Sequence, residues 1–315
     1  MKYTVATILL IFIFLLSGCH QESDGLPDMS EGAETYSLLG HTLATQELDG
    51  DIYEEYRANY EEALSDYREN ADDAENIIWL GRRTAYLGQY REAVNLFSEG
   101  IEKHPEDPRM YRHRGHRYLT LRMLDQAADD FEKAAELMQD MDDQIEPDGL
   151  PNELNQPTST LKSNVFYHHG LVEYLRADYS SAIELYEKAL DLDLTNDMRI
   201  ATLYWYYMAL KRNGNDDSAG AAIADITPEI EIIENDAYLN LLLVFNGVFD
   251  SDRFIESDDD PLQNVTIGYG IGNWHYINGR QDRAYEIWQD IYDQRNWPAF
   301  GYIAAEAELA RKASL

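Results

Sequence analysis

The chain has a single cysteine, Cys19, which excludes an internal disulfide, a paired-thiol redox centre and a cysteine-based zinc site. Lysine is also scarce, with 7 Lys beside 18 Arg, and the 25 basic residues face 59 Asp and Glu for a formal charge of −34. Such a chain repels nucleic acid and anionic lipid as a whole. No nucleic-acid partner is expected, and any anion-binding role needs a local basic patch. Catalytic signatures are missing as well: there is no Gly-x-Ser-x-Gly elbow, no His-Glu-x-x-His zinc helix, no phosphate-cradling Gly-Lys-Ser/Thr loop and no dinucleotide glycine fingerprint. The sequence therefore points to no enzyme, no cofactor and no metal; His113, His116, His168 and His169 have helical spacing but no third-ligand motif. Alternating strand patterns are absent too, which leaves an all-α chain.

One long apolar run is present, from Val5 to Leu16 behind Lys2. It is shorter than the roughly 20 residues a helix needs to span a bilayer, so it reads as a signal-peptide core. It ends in Leu16-Ser17-Gly18-Cys19, which resembles the lipobox of bacterial lipoproteins. The resemblance implies a signal peptide over residues 1–18, diacylglycerol on the Cys19 thiol, cleavage before it and acylation (as by palmitate) of the new amino terminus. Several acyl chains hold a protein to a membrane stably without spanning it. His20 rather than Asp after the cysteine implies the outer membrane, facing the periplasm or the surface. Residues 19–43, acidic with Gly and Pro and no apolar period, read as a flexible tether, and 44–315 as the folded body.

The body repeats itself. Residues 74 to 107 carry Leu80-Gly81, Gly88, Tyr90, Ala93, Phe97 and Pro105, and 34 residues on come Gly115, Tyr118, Leu124, Ala127, Phe131 and Ala134. Further copies carry Gly170, Tyr179, Ala182, Tyr186 and Ala189; then Leu203, Gly214 and Ala219; then Gly272, Gly279, Ala284 and Trp288. The pattern resembles the tetratricopeptide repeat (TPR). That implies a right-handed TPR-type superhelical solenoid of antiparallel helix pairs, with repeats near 74–107, 108–141, 163–196, 200–226 and 265–298. Small residues let the two helices of a pair approach, and large ones fill the holes between neighbours. Helices over 51–70 and 300–311 are expected to cap the ends, and 229–248 reads as a helical stretch outside the consensus. Residues 139–162, with Pro147, Pro151, Pro157 and acids that include Asp140, Asp142, Asp143, Glu146 and Asp148, read as a long solvated acidic loop, and 257–261 as a shorter one.

Charge is unevenly spread. Between Ala74 and Met123 nine basic residues meet six acids, a local +3 that leaves −37 elsewhere, and Arg109 to Arg122 holds five Arg, two His and no acid. In TPR domains positions 2, 5, 9 and 12 of the first helix line the concave groove. Carried over by repeat phase, these are Arg82; Arg109, Arg112 and His116; Tyr167 and Tyr174; Tyr204 and Lys211; and Tyr269, Asn273 and Tyr276. Arg suits bidentate recognition of carboxylates, and Tyr offers rigid contact area. The resemblance implies a membrane-anchored adaptor of the cell envelope, holding an envelope protein or acidic peptide segment in that groove. An acidic glycan stacked on the tyrosines is the alternative partner. Arg114 and His169 stand where the family has a buried Leu, so a polar network, a ligand pocket or a local rotation that exposes the slot is expected there.

Overall fold

The computed structural model describes residues 25–250, 261–294 and 296–314. The lipobox Leu16, Ser17, Gly18 and Cys19 lies outside them, as does most of the 257–261 loop. Among the described residues the chain is built from helical hairpins: α2 (Ala74–Tyr86) with α3 (Tyr90–Lys103), α4 (Pro108–Thr120) with α5 (Leu124–Leu137), α6 (Leu161–Leu175) with α7 (Tyr179–Leu190), α8 (Asn196–Arg212) with α9 (Asp216–Ala222), and α11 (Pro261–Ile277) with α12 (Gln281–Tyr292). Helix α1 (Gly50–Glu69) packs on α2, α10 (Asp236–Phe245) sits between α8 and α11, and α13 (Phe300–Ala313) closes the chain.

The hairpins follow from local chemistry. Asp73, Asp107, Thr160, Asp178 and Thr195 each accept a backbone N–H at the start of a first or second helix, and Pro108 occupies the first turn of α4. At the turn inside each pair one residue takes a left-handed backbone: Gly88, Arg122, Ala177, Gly214 and Gly279. Within four pairs, a first-helix glycine faces an aromatic sixteen positions later. A Cβ on Gly81, Gly170 or Gly272 would stand 2.5 Å from Phe97, 2.6 Å from Tyr186 or 2.4 Å from Trp288, and Gly115 meets Phe131 at 3.3 Å. That pairing sets the close helix spacing of each unit. The all-α, TPR-type solenoid expected from the repeats is the fold.

Two features depart from expectation. Residues 25–47 do not form a free tether. Ala33–Tyr36 and Thr42–Ala44 pair as a small antiparallel hairpin (β1, β2) turning at Gly40. It straps the two ends of the solenoid together. Thr35 Oγ1 donates to Leu121 O at 2.6 Å, the Glu34 carboxylate accepts from Arg91 N at 2.9 Å, and Trp297 Nε1 donates to Ala44 O at 2.9 Å. Leu26 and Leu43 bury on the core, which offsets the ordering cost that a solvated tether would avoid. The second departure is α13. It lies inside the solenoid, against α6, α11 and α12, and Gly301 to Leu309 are buried without a break. Among the described residues no helix is long and apolar enough to cross a membrane.

Candidate functional site

The inner face of the solenoid has two parts. Along repeats three to five the positions expected to line a groove are core. Tyr174, Tyr204, Tyr269 and Asn273 are fully buried and Tyr167 nearly so. Tyr167 Oη accepts from Trp205 Nε1 at 3.0 Å, the Tyr174 and Tyr269 hydroxyls meet at 2.8 Å, and Tyr204 packs on Tyr238. Burial raises the pKa of each of these phenols. Tyr276 lies under the Arg212 guanidinium at 4.4 Å, and Lys211 pairs with Asp216 at the start of α9. The expectation of a tyrosine-lined groove is therefore corrected, because α10, α11 and α13 cover these positions.

Helix α13 is held there by charge as well as packing. Glu306 pairs with Arg122 at 2.8 Å, with side chains 0% and 2% exposed, and Glu308 pairs with Arg212 and Arg311, each at 2.6 Å. Two residues apart, the carboxylates leave the helix on different sides and reach arginines on opposite walls. Arg122 also donates to Thr120 O and Trp297 O, contacts that fix its left-handed backbone.

Repeats one and two are different. Here Arg82, Arg83, Arg112 and Arg117 converge on the inner face. Arg82 and Arg83 lie over the Trp79 ring at 4.5 and 5.0 Å. Arg112 is buried, pairs with Glu146 at 2.9 Å and donates to Nδ1 of His113 and His116 at 3.3 Å. Burial lowers its pKa, with Glu146 opposing. Arg117 is half-buried beside the Tyr90 ring at 5.8 Å and has no hydrogen bond or ion pair among the described residues. Its pKa falls to about 10, first through desolvation and then through Arg112 and Arg82 nearby. Burial also pushes His113, His116 and His168 well below the usual imidazole range, reinforced by the surrounding arginines. His116 stacks on His168 at 4.5 Å and on Phe300 at 5.5 Å, and with Tyr238 and Asp236 it lines a cavity of about 600 Å³ at the edge of α13.

Arg109 does not join this group. It is spent on its own N-cap Asp107 at 2.6 Å and on Glu75, which raise its pKa. Arg114 clasps Asp130 through two bonds of 2.9 and 2.8 Å and reaches Ser98 at 3.0 Å. His169 stacks on Phe131 near Glu173. Both therefore bind neighbouring helices within the body. Nor is the 139–162 loop solvated throughout, because Glu146 is held in the Arg112 pair and Gly149 is buried. Of the expected groove residues, the structure brings Arg82, Arg112 and His116 together and adds Arg83 and Arg117. The acid-free α4 and the base-free Met138 to Leu161 were the readable signal for their mutual attraction.

No family model matches the chain. Over 108 residues it is 30% identical to Hsp70-Hsp90 organizing protein 2 of Arabidopsis thaliana, a match covering 34% of this chain and 15% of that protein. Among solved structures it is similar to a tetratricopeptide repeat protein from Parabacteroides merdae (13% identity, 81% of this chain and 94% of that one, TM-score 0.48). It is also similar to the TPR protein YrrB, described as having an unusual peptide-binding site (17%, 80% and 97%, 0.43), and to BtubC from P. vanneervenii (15%, 84% and 91%, 0.44). At such identities the five hairpins and their shared turn conformation define the fold: a TPR-type solenoid whose inner face is filled by its own last helix along repeats three to five and is basic along repeats one and two.

Proposed function

We propose that the chain is a membrane-anchored, non-catalytic adaptor of the bacterial cell envelope that holds a segment of another protein against the basic inner face of its first two repeats. The observation that carries this is Arg117, a recessed guanidinium without a carboxylate among the described residues, next to Arg82 and Arg112, in a chain of charge −34. An uncompensated cation costs stability, and an anionic ligand that pairs with it recovers that cost. Planar guanidiniums favour carboxylates held two-pronged. The Leu16-Ser17-Gly18-Cys19 motif supports lipid anchoring, with the outer membrane as the location indicated by His20. The partial match to a protein named Hsp70-Hsp90 organizing protein 2 supports a scaffold role in general terms. Glycan stacking has little to rest on, because Tyr167, Tyr204 and Tyr269 are buried.

The test is crosslinked capture from the native envelope with the lipidated protein, beside an Arg82→Glu/Arg117→Glu double variant and a Cys19→Ala variant. A discrete set of proteins should be captured by the wild type and lost with the charge reversal, and Cys19→Ala should leave the membrane fraction. An unchanged partner set with the charge reversal would place the binding surface elsewhere. Capture of nothing by either form would end the adaptor reading.

A further inference from the structure

The basic face is already in use, by a piece of the chain itself. The loop between α5 and α6 is pinned at its base: Glu146 N donates to Ser159 O at 3.1 Å, Leu161 N to Gln144 O at 2.8 Å, and the Asp143 carboxylate accepts from Lys162 N and Thr160 Oγ1. Its tip lies across the arginines. Glu146 pairs with Arg112, the Pro147 carbonyl accepts from Arg82 Nη2 at 2.8 Å, and the Gly149 carbonyl accepts from Arg83 Nη1 at 2.6 Å. Gly149 is pressed so close to Tyr86 that a Cβ would lie 1.6 Å from Oη. One carboxylate, two main-chain carbonyls and one position without a side chain are thus read in four consecutive residues.

The fit is incomplete. Among the described residues Glu146 Oε2, Asp148 Oδ2 and Arg112 Nε are buried without a hydrogen-bond partner, and Arg117, beside Arg112 and Arg82, has none either. Burial, together with Glu234, raises the Asp148 carboxyl pKa against the pull of Arg82. Buried polar atoms left unpaired destabilise a contact, so this tip holds the site less firmly than a ligand that satisfies them.

Resting on the adaptor reading above, we infer that the tip Glu146–Gly149 is a placeholder, and that the basic face takes an internal partner segment of the pattern acidic–Pro–acidic–Gly by displacing it. Recognition follows from the tip's own contacts. The first carboxylate goes to Arg112, the carbonyl after it to Arg82, and the second acid lies near Arg82. Glycine passes Tyr86. A tethered occupant has an effective concentration in the millimolar range, so it weakens a competing segment without any change of fold.

The test uses the full chain and a labelled peptide of residues 145–150, Ile-Glu-Pro-Asp-Gly-Leu, followed by fluorescence anisotropy. Two variants free the site by different means. Gly149→Ala drives the tip off through the clash at Tyr86 and removes no charge, whereas Glu146→Gln/Asp148→Asn weakens the tip electrostatically. Each should bind the peptide at least about ten-fold more tightly than wild type, as removal of a competitor dictates. Arg82→Glu should abolish binding, and a peptide with Ala for Gly should bind poorly. Wild type titrated to millimolar peptide provides the same comparison should a variant fold badly: saturable binding lost with Arg82→Glu supports the inference, and its absence overturns it. Equal affinity for wild type and both folded variants also overturns it. Envelope partners captured and then lost with Arg82→Glu/Arg117→Glu, without any peptide binding, would remove the placeholder and leave the adaptor function standing. Peptide binding without any envelope partner would do the reverse.

Discussion

The Arg122–Glu306 pair offers the sharpest test of how the solenoid is closed. Its side chains are 2% and 0% exposed and 2.8 Å apart. Breaking a buried pair by neutralising one partner costs about 3–5 kcal/mol, because the remaining charge has no water to return to. In Glu306→Gln the Arg122 guanidinium keeps the Thr120 and Trp297 carbonyls and can reach a neutral amide oxygen, but its charge loses its counter-ion, which is what the range describes. Arg122→Gly differs in one respect. It also releases the left-handed backbone at φ 63°, a strain of about 1–2 kcal/mol, so its net cost is smaller by that amount. Removing both charges in Arg122→Gly/Glu306→Leu leaves no orphan ion, and the double variant should be more stable than Glu306→Gln. Urea unfolding of the full chain reads this directly. With an m-value of about 3 kcal/mol/M, Glu306→Gln should lower the midpoint by about 1–1.7 M. A shift below about 0.3 M, or a double variant costing the sum of the two single changes, would show that α13 is not buried between the walls.

Three further outcomes follow from packing and titration. Tyr167→Ala, Tyr204→Ala and Tyr269→Ala should each cost about 3–5 kcal/mol in thermal unfolding, as large aromatic truncations in a core do; a variant of full stability that lost partner binding would restore the tyrosine groove. Gly272→Ala and Gly170→Ala should cost about 1–3 kcal/mol through overpacking against Trp288 and Tyr186, whereas Gly220→Ala, with open space around it, should gain about 1 kcal/mol from helix propensity. Equal effects at the three glycines would refute the pairing of small and aromatic residues. Acid should destabilise the protein. His113, His116 and His168 have folded pKa values well below the ordinary value near 6.5, so the unfolded chain binds more protons below that pH. Stability is therefore full above pH 6.5 and falls as pH drops through it, by up to about 1.4 kcal/mol per pH unit for each group. His168→Phe should flatten the fall in unfolding free energy measured between pH 6.5 and 5.5, and an unchanged slope would mean that the imidazole is solvated.

The repeats were legible because their signal is local. A first-helix glycine and its aromatic lie within one hairpin, and the caps and turns lie beside them, so Gly81 with Phe97 or Asp107 with Pro108 can be read without the rest of the chain. What closes the molecule cannot be read that way. Arg122 meets Glu306 across 184 positions, and Trp297 reaches Ala44 across 253. Helix α13 was expected over 300–311 and spans Phe300–Ala313, but nothing local assigned it to the interior. A clue existed in Gly301 to Leu309, which is apolar all round except for Glu306 and Glu308, and a helix without a polar face belongs inside. The tyrosine groove failed for the same reason, since family positions line a groove only where no helix fills it. The strap over Ala33–Ala44 carries no readable signal because its strands are four and three residues long, too short to show a period.

The two self-contacts on the inner face are of opposite kinds, and the difference bears on how the proposed adaptor would work. In α13 both carboxylates have arginine partners within 2.8 Å and nine consecutive residues are buried, so its release would orphan several charges at once. The loop tip leaves three buried polar atoms unpaired among the described residues and contacts the arginines through three of its four residues. Repeats three to five are therefore closed, and a partner gains only the length of the tip, roughly 13 Å of extended chain. A contact that short is weak in free solution, because a few paired charges barely offset the entropy of association. The proposed lipid anchor at Cys19 would change the balance. A site and a partner held at one membrane meet at a high effective concentration, and that supplies the association that four residues lack. On this reasoning the same charge reversal at Arg82 should be more damaging in a Cys19→Ala background than in the anchored protein, since the soluble form has no co-localisation to fall back on.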